Sequence, residues 1–203
     1  MTSLRRRSRV DRMAISGGES TLNRPWLVDY IRKLRERNPD PAARIHVDTN
    51  ATLLTREYID ELADAGMTDI GPDLKGLRPE TFMRITGISD MNMARQFLET
   101  AWDAVHYLVD QYPDRVFTGV GIPYNSVLIS LDEVRGMGDA LRRIEADLQV
   151  CVLDYRPEFR RRDIRRPHPR EMQEVLETLT ACGLSTVICH TRYGHIAPQG
   201  PMF

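Results

Sequence analysis

No apolar run in the 203-residue sequence approaches the roughly 20 residues that a bilayer-crossing helix needs. The start does not read as a secretory leader, because Met1 to Arg12 is basic and no apolar region follows it. The expected compartment is therefore the cytoplasm. Charge of one sign is also lacking: a formal net charge of -1 gives no overall electrostatic case for nucleic acid or an anionic membrane. Cysteine is scarce, and Cys151, Cys182 and Cys189 are an odd, widely spaced set that argues against a disulfide framework. They are expected as buried, inert thiols. There is no internal repeat and no low-complexity segment.

What is present is enough apolar content, 41%, for one good core, so a single domain is expected. Residues 1–12 read as a disordered basic arm, and residues 13–203 as the domain. Within it, strands are expected at Met13 to Ile15, Ile45 to Asn50, Thr68 to Leu74, Arg115 to Pro123, Leu148 to Leu153 and Ser185 to His190. Helical spacing recurs at Leu27 to Arg37, Thr55 to Gly66, Pro79 to Ile85, Met91 to Tyr112, Leu131 to Ile144 and Pro169 to Ala181. A glycine- and proline-containing tail follows. This alternation predicts an α/β fold, an incomplete TIM-like (β/α) barrel of about six parallel strands with near-continuous apolar runs.

The organising stretch runs from Met13 to Trp26: an apolar strand, the glycine pair Gly17-Gly18, Glu19, and a helix start marked by Asn23 before Pro25. No Lys-Ser/Thr follows the glycines, so a Walker phosphate loop is excluded. In (β/α) barrels ligands sit at the C-terminal strand ends. Here those ends read Gly17-Gly18-Glu19, Asp48-Thr49-Asn50, Asp73-Leu74-Lys75, Pro123-Tyr124-Asn125, Asp154-Tyr155-Arg156 and His190-Thr191-Arg192. Each carries a polar group, which points to a site rather than a bare scaffold.

Gly17-Gly18-Glu19 resembles the Gly-Gly-Glu motif of the radical S-adenosylmethionine (SAM) superfamily, which holds the SAM amino group. Asp48-Thr49-Asn50 resembles the Asp-Thr-Asn-Gly of the glycyl-radical-enzyme (pyruvate formate-lyase) activating branch, with Ala51 in place of glycine. Asp73-Leu74-Lys75, followed by Thr86-Gly87-Ile88-Ser89, resembles later motifs of that branch, where the Asp and Lys touch SAM and the Lys pairs with its carboxylate. The likeness runs from Met13 to about Arg156. It implies cofactor contacts at Gly17, Gly18, Glu19, Asp48, Thr49, Asp73 and Lys75. It also implies a 4Fe-4S cluster and reductive cleavage of SAM to a 5′-deoxyadenosyl radical that abstracts hydrogen.

One family element is missing, the Cys-x3-Cys-x2-Cys loop whose thiolates hold the cluster. The three cysteines of this chain fall on separate elements and cannot replace it. The expectation is a barrel without its first βα unit, truncated and inactive alone, whose open edge invites self-association or a protein partner. His46, His106 and His168 stand alone, while His190 and His195 are close but lack a further recognisable ligand. Six arginines between Tyr155 and Arg166 make either a solvated loop or a surface for an anionic substrate or protein. Two other readings stay open: a non-catalytic SAM-binding subunit or pseudoenzyme, and an aldolase-type barrel in which Lys75 forms a Schiff base.

Overall fold

The computed structural model describes residues 10–158 and 161–202. Eight strands form one sheet in chain order: β1 Arg12–Ile15, β2 Arg44–Thr49, β3 Asp69–Pro72, β4 Phe117–Tyr124, β5 Gln149–Asp154, β6 Val187–Thr191, β7 Gly194–Ala197 and β8 Gly200–Met202. The first six are parallel, as the alternation predicts. The tail is a correction: β7 and β8 add antiparallel strands to the far edge instead of trailing off. Arg12 opens β1 and reaches Asp69, so the strand begins one residue earlier than expected; in the predicted arm, the Val10 and Asp11 carbonyls accept from Asn38 Nδ2 and Arg44 N, and residues 1–9 lie outside the described residues.

Helices α1 Arg24–Arg37, α2 Arg56–Ala65, α3 Pro79–Thr86, α4 Met91–Gln111, α5 Leu131–Ile144 and α6 Pro169–Ala181 follow their strands. Their starts and stops are local chemistry. Asn23 and Thr55 accept from the Trp26 and Tyr58 amides as N-caps, and Gly66 ends α2 in the left-handed conformation.

The core lies between the helices and one face of the sheet. Ile45, Val47, Ile70, Val120, Ile122, Val150 and Val152 are fully buried there against Leu27, Ile59, Leu62, Val105 and Val134. Burying each such side chain contributes roughly 1.5–3 kcal/mol. The other sheet face is more open, so the strands alternate rather than running uniformly apolar: His46, Asp48, Cys151 and His190 point away from that core. β3 and β4 pair at Asp69–Phe117 and Ile70–Thr118, then again at Asp73–Gly121. Pro72, which has no N–H to offer, falls in the gap.

Candidate functional site

A cleft of about 1130 Å³ opens at the C-terminal ends of the parallel strands. All seven residues assigned to the cofactor from sequence line it: Gly17, Gly18, Glu19, Asp48, Thr49, Asp73 and Lys75. Ser16, Asn50, Ile85, Thr86, Gly87, Tyr155, Glu158 and Arg161 complete the wall.

Gly17 and Gly18 both take positive φ, 95° and 57°, which turns the chain sharply out of β1. The Glu19 side chain is committed inward. Its Oε1 accepts from Thr21 N at 3.1 Å, Thr21 Oγ1 at 2.7 Å and Thr49 Oγ1 at 2.6 Å, and its Oε2 accepts from Asn50 N at 2.7 Å. This carboxylate therefore fastens the glycine loop to the end of β2, and Oε2 keeps one lone pair for a ligand. Ser20 Oγ adds a bond to the Asp48 carbonyl at 2.9 Å. Ala51, where the resemblance has glycine, is the one non-glycine with positive φ among the described residues, at 58°. The turn thus keeps a glycine-like backbone and bears the strain of a Cβ in it.

On β2, His46 Nε2 lies 2.7 Å from Asp48 Oδ1 on the same face. That hydrogen bond holds the Asp48 carboxyl below its ordinary range. Lys75 Nζ sits 3.2 Å from Asp73 Oδ2 and is only 16% exposed. Asp73 lies over Gly121 of β4, where a Cβ would stand 2.3 Å from its Oδ1. The loop carrying Lys75 is held from behind by Glu133 of α5, which accepts from the Leu77 and Arg78 amides and from Thr81 Oγ1. Sequence reasoning missed Glu133 as a support of the site, and placed Gly121 only within the fourth strand.

The fourth and sixth strand ends do not reach the cleft lining. Asn125 is buried and spends its Nδ2 on the carbonyls of Tyr155 and Arg165, at 2.9 and 2.7 Å. His190 turns to Cys151, with Nε2 3.2 Å from Sγ, and its ring contacts that of His195 at 4.3 Å. Burial first, then His195, keeps the His190 imidazole below its ordinary range. Cys151 is half-buried and hydrogen-bonded, not the fully buried thiol expected, whereas Cys189 is buried and its thiol is pushed up to about 12 by that burial. Cys182 ends α6. Among the described residues no three His, Cys, Asp or Glu side chains converge to hold a metal ion, and no helix is long and apolar enough to cross a membrane.

The arginine-rich loop after β5 is tied at its far end. Arg166 Nε meets the buried Asp154 at 2.5 Å, and Arg165 grips Glu171 of α6 with two bonds, at 2.5 and 2.7 Å. The Arg165 bond is the main cause that lowers the Glu171 carboxyl from 4.5 to about 2. A depressed carboxyl stabilises the fold above its unfolded value, so this tie is whole above about pH 4.5 and is lost as pH falls toward 2.

The family model of the radical SAM superfamily matches residues 2–127. A probable GTP 3′,8-cyclase from Methanococcus aeolicus is 32% identical over 95 residues, which are 47% of this chain and 31% of that protein. The chain thus spans about a third of the length of this curated relative. A domain of pyruvate-formate lyase-activating enzyme from Bacteroides vulgatus has a TM-score of 0.63 at 16% identity, over 88% of this chain and 98% of that one. Streptococcus suis SuiB bound to S-adenosylmethionine has a TM-score of 0.60 at 13% identity, over 89% of this chain and 39% of that one. At these identities the structural likeness is one of fold.

Proposed function

Because this chain belongs to the radical SAM superfamily, we propose that its cleft binds S-adenosylmethionine in the manner of the activating-enzyme branch. The observation that carries this is the convergence of seven residues from three separate strand ends on one cleft. The charges suit the ligand. Lys75 offers an ammonium to the methionine carboxylate, and Asp48, Asp73 and the remaining lone pair of Glu19 offer negative charge to the amine and the sulfonium. Gly17 and Gly18 leave room for close backbone approach.

The family also implies a 4Fe-4S cluster, which supplies the electron for reductive SAM cleavage when bound. The described residues do not fit it, since soft thiolates must converge and Cys151, Cys182 and Cys189 lie on β5, the end of α6 and β6. The role proposed for these residues is SAM binding, with cleavage dependent on thiolates supplied from outside them. The aldolase reading is disfavoured by the Lys75–Asp73 ion pair, because a Schiff-base lysine must present a free lone pair.

Calorimetric titration with SAM tests this. Lys75→Ala is expected to weaken binding by about tenfold or more, since each tenfold is about 1.4 kcal/mol, and Glu19→Ala to weaken it through the loop it fastens. Equal SAM affinity in wild type and both variants would end the assignment. Borohydride trapping of a carbonyl compound on Lys75 would favour the aldolase reading instead.

Association is part of the same proposal. Among the described residues β1 is an edge of the sheet, and Arg24 ties α1 to Glu61 of α2. Two residues on, about 200° round the helix, exposed Trp26 stacks on Tyr30 at 4.9 Å, with exposed Leu22 nearby in sequence. An open edge beside an uncovered aromatic pair suits a second copy of the chain. Sedimentation should find a dimer that Trp26→Glu converts to monomer; a monomeric wild type at tens of micromolar refutes it.

A further inference from the structure

Six arginines fall in the stretch from Tyr155 to Arg166; Arg160 lies outside the described residues, and the structure separates the roles of Arg156, Arg161, Arg165 and Arg166. Arg166 and Arg165 hold Asp154 and Glu171, and Arg156 Nε pairs with Glu158 at 2.5 Å. The first two tie the far end of the loop to β5 and α6, and the third is local. Arg161 differs, because it lines the cleft itself.

Its Nε is buried and has no hydrogen-bond partner; among the described residues only Thr118 Oγ1 shares that condition. Asp163 lies 3.3 Å from Nε, within ion-pair distance but outside hydrogen-bonding geometry, and is 70% exposed. Water therefore screens that charge. Buried donors in native proteins are almost always paired, so an orphan in a cleft wall marks a partner that arrives with a ligand. None of the cleft's own acids bonds to it, Glu158 being paired with Arg156. Glu19 already accepts four hydrogen bonds, Asp48 is engaged by His46 and Asp73 by Lys75.

We propose that Arg161 is the centre of an oxyanion subsite, which takes a carboxylate or phosphate group of a second molecule bound in the cleft beside SAM. Guanidinium presents Nε–H and an Nη–H side by side, a fork that matches two oxygens of one such group. The substrate class is thus anionic, and Arg161 orients it. The position of SAM as the neighbouring ligand rests on the proposed function above; the oxyanion subsite itself rests on Arg161.

The test is calorimetry on the full chain with pyrophosphate, with succinate and, separately, with SAM, for wild type, Arg161→Gln, Arg161→Lys and Lys75→Ala. At least one anion should bind wild type, more weakly as salt rises. Arg161→Gln should weaken it about tenfold, Arg161→Lys less, and SAM affinity should stay within about twofold in both. Pyrophosphate binding more tightly assigns a phosphate group, succinate a carboxylate. Unchanged melting temperatures in the Arg161 variants confirm an intact fold. Failure of both anions to bind wild type, equal anion affinity in Arg161→Gln, or a loss of SAM rather than anion binding each overturns the proposal. Arg161-dependent anion binding in a chain that does not bind SAM keeps the subsite and discards only its neighbour.

Discussion

Glu133→Ala is expected to lower the unfolding free energy by about 3 kcal/mol, because it strands one buried and two part-buried donors at once. Glu133 is 2% exposed, and its carboxylate accepts from Leu77 N at 2.9 Å, Arg78 N at 3.1 Å and Thr81 Oγ1 at 2.7 Å. These donors belong to the loop after β3 and the first turn of α3, 52 to 56 residues earlier in the chain. Without the carboxylate the loop loses its fixed path, and Lys75 loses its place in the cleft. SAM binding should therefore fall together with stability. Glu133→Gln retains the shape and one acceptor, so its loss should be intermediate. Urea midpoints read the stability, and a midpoint for Glu133→Ala equal to that of wild type would contradict this role.

Gly121→Ala should have the opposite signature, a nearly unchanged fold and a damaged site. The new Cβ would lie 2.3 Å from Asp73 Oδ1, while the nearest backbone atom, Asp73 Cα, is 3.7 Å away. The clash is thus with the tip of a side chain, which can swing aside at little cost to the core. Swinging aside parts Asp73 from Lys75, now 3.2 Å apart, and moves a carboxylate out of the cleft. SAM affinity is expected to drop about tenfold or more while the melting temperature shifts by only a few degrees, as about 1 kcal/mol would give. Retained affinity would mean that Asp73 does not position Lys75 for the ligand.

Much of this fold is legible in the sequence because its signals are local. The six parallel strands and the major helices follow from hydrophobic period and caps such as Asn23, Thr55 and Gly66. The β7–β8 hairpin is not legible, since its strands are four and three residues long and contain Gly194, Gly200 and Pro201, which read as turn residues. In the site, strand-end position brings out Gly17, Gly18, Glu19, Asp48, Thr49, Asp73 and Lys75. It cannot tell that the Glu19 side chain is largely absorbed by Thr21, Thr49 and Asn50. Glu133 is hidden for a different reason. Ser130-x-x-Glu133 has the form of a capping box, yet the carboxylate reaches back to another loop while Ser130 alone caps α5. Gly121 matters only through a neighbour on another strand. The arginines of the β5–α6 loop look alike in sequence, and Arg156, Arg161, Arg165 and Arg166 are sorted by which carboxylates they meet.

That loop is anchored by what lies at its two ends. Asn125 grips the Tyr155 and Arg165 carbonyls, Asp154 holds Arg166 and Glu171 holds Arg165. The stretch between those anchors, the core residue Ile164 excepted, is therefore the exchangeable part of the molecule. Changes of length there cost little in chain entropy, about 0.6 kcal/mol per doubling, and leave the strands and their helices untouched. A library that varies only this segment, with Asn125, Asp154, Ile164, Arg165, Arg166 and Glu171 kept, would sample different ligand preferences on one unaltered frame.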